Sequence, residues 1–287
     1  MRKIVIIFLT LMAFSAGLMA ASETETYSRL IQFSGEKYLN IEMDFGMAEL
    51  KLARGNGDYI AKIDGEYDPK IFEITVDYNK KGDRGYLTIK IEQKKNLIKF
   101  TTDDSINDWE ILLGDMAPME LFVDAGMCEA DFDFTGLIIN GLEMDVGMAS
   151  GTIIFNKPNK GRIKEFIIDA GKSSFECYGL GNANFGNLVI DAGMASVDLD
   201  FSGKLDFDGL VNIDAGMSSA SIRLNPGMGT KIKYSDDWTS SMEIPEGFEK
   251  VKKGVYQSRD YDQKKGHIDF DIDISMGSVD FELAESL

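Results

Sequence analysis

The residues of this sequence that could do chemistry are mainly carboxylates, and they recur in a fixed setting. Asp44-Phe-Gly-Met-Ala-Glu49 returns as Asp124-Ala-Gly-Met-Cys-Glu129, Asp145-Val-Gly-Met-Ala-Ser150, Asp169-Ala-Gly-Lys-Ser-Ser174, Asp191-Ala-Gly-Met-Ala-Ser196 and Asp214-Ala-Gly-Met-Ser-Ser219, with a worn copy at Asp273-Ile-Ser-Met-Gly-Ser278. Carboxylates brought into one row repel each other, and a hard cation such as calcium would relieve that with oxygen ligands. Asp124, Asp145, Asp169, Asp191 and Asp214 are the candidate metal ligands. The simpler reading, preferred on sequence, is that each Asp accepts hydrogen bonds from the N–H groups of its own turn. Paired acids can also hydrolyse a glycosidic bond. A catalytic pair should be a local exception to the repeat, however, and here the Asp is in every copy. No catalytic residue and no cofactor are therefore expected.

The remaining reactive residues are few. His267 is the one histidine, which removes multi-histidine metal sites and most histidine-based catalysis. Two cysteines, Cys128 and Cys177, fall two repeats apart, a rise of about 9.6 Å if copies stack as parallel strands. Disulfide Cα atoms usually lie within about 7 Å of each other, so both are expected to be free and buried. The formal charge of −18 becomes −20 once Arg2 and Lys3 are set aside, which excludes nucleic acid as a partner.

Six of the fifteen methionines share the third position after the Asp: Met47, Met127, Met148, Met194, Met217 and Met276. Lys172 replaces a seventh, so the position borders solvent. Met127, Met148, Met194 and Met217, together with Trp238, form the candidate partner surface, an adaptable apolar stripe. The simpler reading is that these methionines wrap over a corner and that Trp238 pins a loop to the core.

The elements that must hold these residues follow from period and parity. The central Asp positions are 21, 24, 22 and 23 residues apart, the length of one solenoid coil. The residues just before and after each Asp are apolar, as Ile190 and Ala192 are around Asp191. Further on, the apolar parity shifts by one residue, as in Ala195, Val197 and Leu199. The glycines at Gly46, Gly126, Gly147, Gly171, Gly193 and Gly216 are the structural repeat residues expected to absorb that slip, through positive φ or a bulge. The fold class is then all-β: a right-handed, single-stranded parallel β-solenoid of about 22 residues per coil, with an irregular N-terminal β region.

Residues 1–21 read as a signal peptide, with a basic start, an uncharged apolar run and a small-residue exit. An uncleaved N-terminal anchor is the alternative. Residues 22–115 form the N-terminal β-rich region and residues 116–287 the repeat solenoid, with a polar excursion at 226–265 read as a loop or short helix. No second apolar run is long enough to span a membrane.

Asp44-Phe-Gly-Met-Ala-Glu-Leu-Lys-Leu52, a strand-rich stretch and the repeated Asp-Ala-Gly-Met-Ala-Ser units resemble the toast-rack family, which is related to bacterial "putative adhesin" domains and to the C-terminal domain of cell-wall-active-antibiotic response proteins. The resemblance implies an exported or membrane-associated bacterial β-solenoid and supplies no catalytic residues. The function expected is a non-catalytic envelope protein, in the periplasm or at the cell surface, whose partner is an envelope protein or a glycan. The alternatives are a carbohydrate- or calcium-dependent adhesin and, more remotely, a polysaccharide-active enzyme.

Overall fold

The computed structural model describes residues 24–94, 105–204, 207–235 and 240–284; residues 1–21, read above as a signal peptide, and Trp238 lie outside these residues. The chain forms β1 (Glu25–Gln32), β2 (Tyr38–Arg54), β3 (Tyr59–Tyr67), β4 (Phe72–Lys81), β5 (Arg84–Gln93), β6 (Asn107–Leu113), β7 (Met119–Asp133), β8 (Ile139–Ile154), β9 (Ile163–Tyr178), β10 (Phe185–Asp200), β11 (Asp208–Leu224), β12 (Gly229–Tyr234), β13 (Ser240–Glu243), β14 (Phe248–Lys252), β15 (Val255–Ser258) and β16 (His267–Leu283). They join in one 16-stranded sheet. Its centre is a parallel run of seven long strands, or rungs, in the order β2, β7, β8, β9, β10, β11, β16.

Register follows the motif. Asp44 pairs with Asp124, Asp124 with Asp145, Asp145 with Asp169, Asp169 with Asp191, Asp191 with Asp214 and Asp214 with Asp273. Straight 16-residue strands such as β8, β9 and β10 would run about 53 Å at about 3.3 Å per residue. The connections between β7 and β11 are five to eight residues long and reach at most about 28 Å. Parallel neighbours joined by such short links require each rung to fold back on itself.

The bend is visible in the burial pattern of β10. Ile190 and Ala192 point inward, Gly193 and Met194 both face outward, and burial resumes at Ala195, Val197 and Leu199. Two consecutive outward residues turn the sheet through a corner and shift the parity by one. The corner expected at these glycines is present, and it is made without positive φ. Their requirement is axial. A Cβ on Gly126, Gly147, Gly171, Gly193 or Gly216 would stand 2.6, 2.8, 2.8, 3.0 or 2.8 Å from the carbonyl oxygen of the corner glycine one rung below. At these five positions successive backbones come too close for a side chain. In β16 the corner position holds Ser275, and Gly277, two residues on, takes φ 144°.

Inside, each rung stacks on the next. Phe134 and Phe155, which follow β7 and β8, lie 5.4 Å apart ring to ring, and Phe270 of β16 lies 5.2 Å from Phe201, which follows β10, and 5.4 Å from Phe281 across its own rung. Burying such rings supplies most of the favourable energy of a stacked fold.

Both ends are covered in the same way. At the first rung, β5 pairs with the first half of β2 and β6 with the second half, so two short strands replace one long one. Antiparallel strands β4, β3 and β1 extend from these. At the last rung, β12 covers the first half of β16 and β13 the second, with β15 and β14 added antiparallel. Residues 226–265 thus carry four strands and one short turn of 3₁₀ helix at Tyr261–Gln263, not a loop or short helix. Gly229–Tyr234 repeats the inward alternation with buried Thr230, Ile232 and Tyr234. The final strand β16 is inserted between β11 and β12.

Candidate functional site

The corner brings the candidate residues to one edge. Each Asp points out two residues before its corner glycine, and each Met points out directly after it. The parallel register aligns Met47 with Met127, Met127 with Met148, Met194 with Met217 and Met217 with Met276. Lys172 stands opposite Met194. Met127 is 42% exposed, Met148 55%, Met194 49%, Met217 53% and Met276 51%, while Met47 is half-buried. The methionines therefore form a ridge in solvent. Ser150, Ser174, Ser196 and Ser219 form a further outward row two residues beyond the ridge.

The aspartate row is electrostatically uneven. Partial burial, followed by the charges of Asp44 and Asp145, raises the Asp124 carboxyl above its ordinary range. Partial burial, followed by Asp145 and Asp191, does the same to Asp169. Neither shift includes a hydrogen bond from the turn, because the backbone N–H groups of the rungs are used along the ladder. The expected turn hydrogen bonds are thus absent at these two positions; Lys90 partly offsets the repulsion at Asp124, and no such charge acts on Asp169.

At its first rung the row meets a lysine. Lys90 of β5 pairs with Asp44 in register, its Nζ 3.3 Å from Asp44 Oδ2 and 3.7 Å from Glu42 Oε1. On β16 the lysines of β12 pair with carboxylates that precede the row's Asp273: Lys233 lies 2.6 Å from Asp271, and Lys231 lies 3.6 Å from Asp269. A shallow groove of about 530 Å³ runs beside Lys90, lined by Glu42, Asp44, Phe122, Asp124, Glu143 and Asp145 among others. Among the described residues, no group of three or more His, Cys, Asp or Glu side chains is placed to hold a metal ion.

The reactive side chains elsewhere are engaged or enclosed. Cys128 and Cys177 are free and buried. Burial pushes their thiols up to about 11 and about 12, far from a nucleophile. His267 lies with Nδ1 2.8 Å from Asp208 Oδ1 and Nε2 3.1 Å from the carbonyl oxygen of Tyr261. Among the described residues no helix is long and apolar enough to cross a membrane.

Sequence reasoning missed two kinds of residue. Lys90 lies outside every motif copy, though Ile89-Lys90-Ile91 has the apolar-charged-apolar form of Met43-Asp44-Phe45. The asparagines that fasten the connections were also missed. Asn159 donates to the carbonyls of Ile139 and Ala183, and Asn182 donates to that of Phe155. Their spacing of 23 residues, one repeat, was the available signal.

Residues 20–171, more than half of the chain, match the family model described as the N-terminal domain of toast_rack, DUF2154. Among curated proteins none matches the sequence. Among solved structures, the chain is similar to a "putative cell adhesion protein" from Clostridium sporogenes ATCC 15579, with 19% identity over 91% of this chain and 100% of that one and a TM-score of 0.48. It is also similar to a "putative adhesin" from Bacteroides fragilis NCTC 9343, at 8% identity over 91% and 98% with a TM-score of 0.36. A third is a "Putative lipid binding protein" from Parabacteroides distasonis ATCC 8503, at 11% identity over 91% and 97% with a TM-score of 0.29.

Proposed function

The chain belongs to the toast-rack family, and from that premise we propose that it is a non-catalytic exported protein of the bacterial envelope. It is a right-handed solenoid of about 22 residues per coil that offers its corner as an interaction surface. The observation that carries this reading is the exposed methionine ridge. Exposed, aligned, flexible thioether side chains make an adaptable apolar contact surface, and the rungs fix its line. The non-catalytic part is supported by the buried thiols, by the occupied ring nitrogens of His267 and by the repetition of the Asp in every rung.

A photo-crosslinking amino acid placed at Met194 in cells tests this. Discrete protein adducts at Met194, absent when the same group replaces the exposed Tyr178, are expected. Equal and diffuse labelling at both positions, or turnover of envelope polysaccharide by the purified chain, would overturn the proposal.

The calcium-dependent adhesin is the second reading, favoured by the partial burial and neighbouring aspartates that raise the Asp124 and Asp169 carboxyls. Under it, millimolar calcium raises the melting temperature by several degrees, because a ligand stabilises the state that binds it. An unchanged melting curve removes this reading.

A further inference from the structure

Lys172 takes the methionine position of β9, so the six thioethers fall into two sets on consecutive rungs. Met47, Met127 and Met148 lie on β2, β7 and β8, and Met194, Met217 and Met276 on β10, β11 and β16. We propose that each set binds one soft monovalent cation, of the copper(I) or silver(I) class, between thioether sulfurs of neighbouring rungs. This goes beyond the interaction-module reading and does not rest on it.

The spacing is the first argument. Adjacent parallel strands lie about 4.8 Å apart. With metal–sulfur bonds of about 2.3 Å, the length found for zinc thiolates, a linear sulfur–metal–sulfur unit is about 4.6 Å long. Two methionines in register on neighbouring rungs can thus hold such an ion with their side chains standing side by side. Methionine has the rotatable bonds to complete the alignment.

Donor chemistry is the second argument. Thioethers are soft ligands that select copper(I) over the hard divalent ions. The ridge is open to solvent at Met127, Met148, Met194, Met217 and Met276, so an ion can reach it. The other ligands that could take a soft metal are out of reach: both thiols are buried, and His267 already faces Asp208 and Tyr261.

The third argument is electrostatic. The aspartate row runs beside the ridge along its whole length and favours a cation. Lys172 separates the two sets. Met148 and Met194 are two rungs apart, about 9.6 Å, too far for one linear unit, and a positive charge lies between them.

The test uses the purified chain carrying Cys128→Ala and Cys177→Val, titrated with silver(I) in nitrate buffer. A parallel titration uses copper(I) supplied as its acetonitrile complex without oxygen. Alanine fills the Cys128 position in other rungs, and valine nearly conserves the Cys177 volume. Two ions per chain are expected, with methyl NMR shifts confined to the ridge methionines. Met127 and Met217 are the middle members of their sets. Met217→Leu should leave one ion, and Met127→Leu with Met217→Leu should leave none, while both variants keep their melting temperatures within a few degrees. No binding by the cysteine-free chain, or two ions still bound by the double leucine variant, overturns the proposal. Leucine preserves the apolar ridge, so crosslinking at Met194 persists in the Met127→Leu, Met217→Leu chain if the docking reading holds, and the two proposals fail separately.

Discussion

A Cβ on Gly147 would stand 2.8 Å from the carbonyl oxygen of Gly126. The atom it meets is main chain, in a strand paired with its neighbours on either side of the corner, so it cannot swing away as a side chain would. Gly46 occupies the same motif position but has only a broken rung beneath it, and its nearest neighbour is the carbonyl oxygen of Ile91 at 3.8 Å. Gly147→Ala should therefore cost about 1–3 kcal/mol, the usual range for forcing an extra carbon into packed structure. Gly46→Ala should be close to neutral. Denaturant unfolding of the two variants checks this, and equal losses would show that the corner needs glycine for a reason other than axial crowding.

Asp169→Asn should stabilise the chain at neutral pH. The folded Asp169 carboxyl is raised by partial burial and then by Asp145 and Asp191. A raised carboxyl contributes stability that is complete below the ordinary carboxylate range and is lost as pH rises through its folded value. Asparagine keeps the shape and removes the charge. The variant should melt higher than wild type at pH 7, more so at low salt, and the gap should close as pH falls below about 4. A gap that persists in acid would mean the effect is not one of charge.

The rungs were legible because each repeats the same parity. Ile190, Ala192, Ala195 and Val197 recur in kind around every Asp, and the single replacement by Lys172 announced that the methionine position faces solvent. The corner at the glycines was legible from the slip in parity, but the reason it excludes a side chain was not. Positive φ and a crowded axis both demand a missing Cβ, and a sequence cannot separate them. The strands β12 and β13 were hidden by their shortness: three inward residues in Gly229–Tyr234 make a weak period. Their partner β16 also comes later in the chain, so no adjacent copy pointed to them. The turn hydrogen bonds assigned to the aspartates failed for a related reason. The motif looks like a turn in isolation, whereas in the stack its N–H groups are turned toward the neighbouring rung.

Glu36 is 3% exposed yet ionised. Burial works to raise its carboxyl, but the Ser34 hydroxyl and N–H and the Tyr78 hydroxyl outweigh this and hold it at about 2, against an ordinary 4.5. The Ser34 N–H and the Tyr78 hydroxyl each donate at 2.8 Å, and Lys80 Nζ lies 3.1 Å away. The carboxylate thus fastens the chain before β2 to β4 in the N-terminal cap. A lowered carboxyl contributes stability that is present above the ordinary range and is lost as pH falls through the folded value. Glu36→Gln should therefore weaken the cap at pH 7, seen as faster hydrogen exchange in β4 and a lower melting temperature. The difference from wild type should shrink between pH 4.5 and about 2. A difference independent of pH would assign the role to shape rather than charge.

Asn159 is 7% exposed in the connection between β8 and β9, and it fastens rungs on both sides. Its Nδ2 donates to the Ile139 carbonyl at 2.8 Å and to the Ala183 carbonyl at 3.2 Å, and its Oδ1 accepts from the Ile139 N–H at 3.0 Å. Removing the amide leaves three buried main-chain groups without this partner, and each such group costs about 1–3 kcal/mol if water cannot replace it. Asn159→Ala should therefore be among the most damaging single changes in the connections, while Lys157→Ala, two residues away and exposed, should stay within about 0.5 kcal/mol of wild type. Asn159→Asp is the sharper probe. It keeps the volume and the acceptor but sets a negative oxygen against two carbonyl oxygens, so its loss should be greatest at neutral pH and smaller once the carboxyl is protonated. Denaturant melts of the three variants at pH 7 and pH 4 decide the matter, and an Asn159→Asp chain as stable as wild type at pH 7 would show that the connections are held by packing alone.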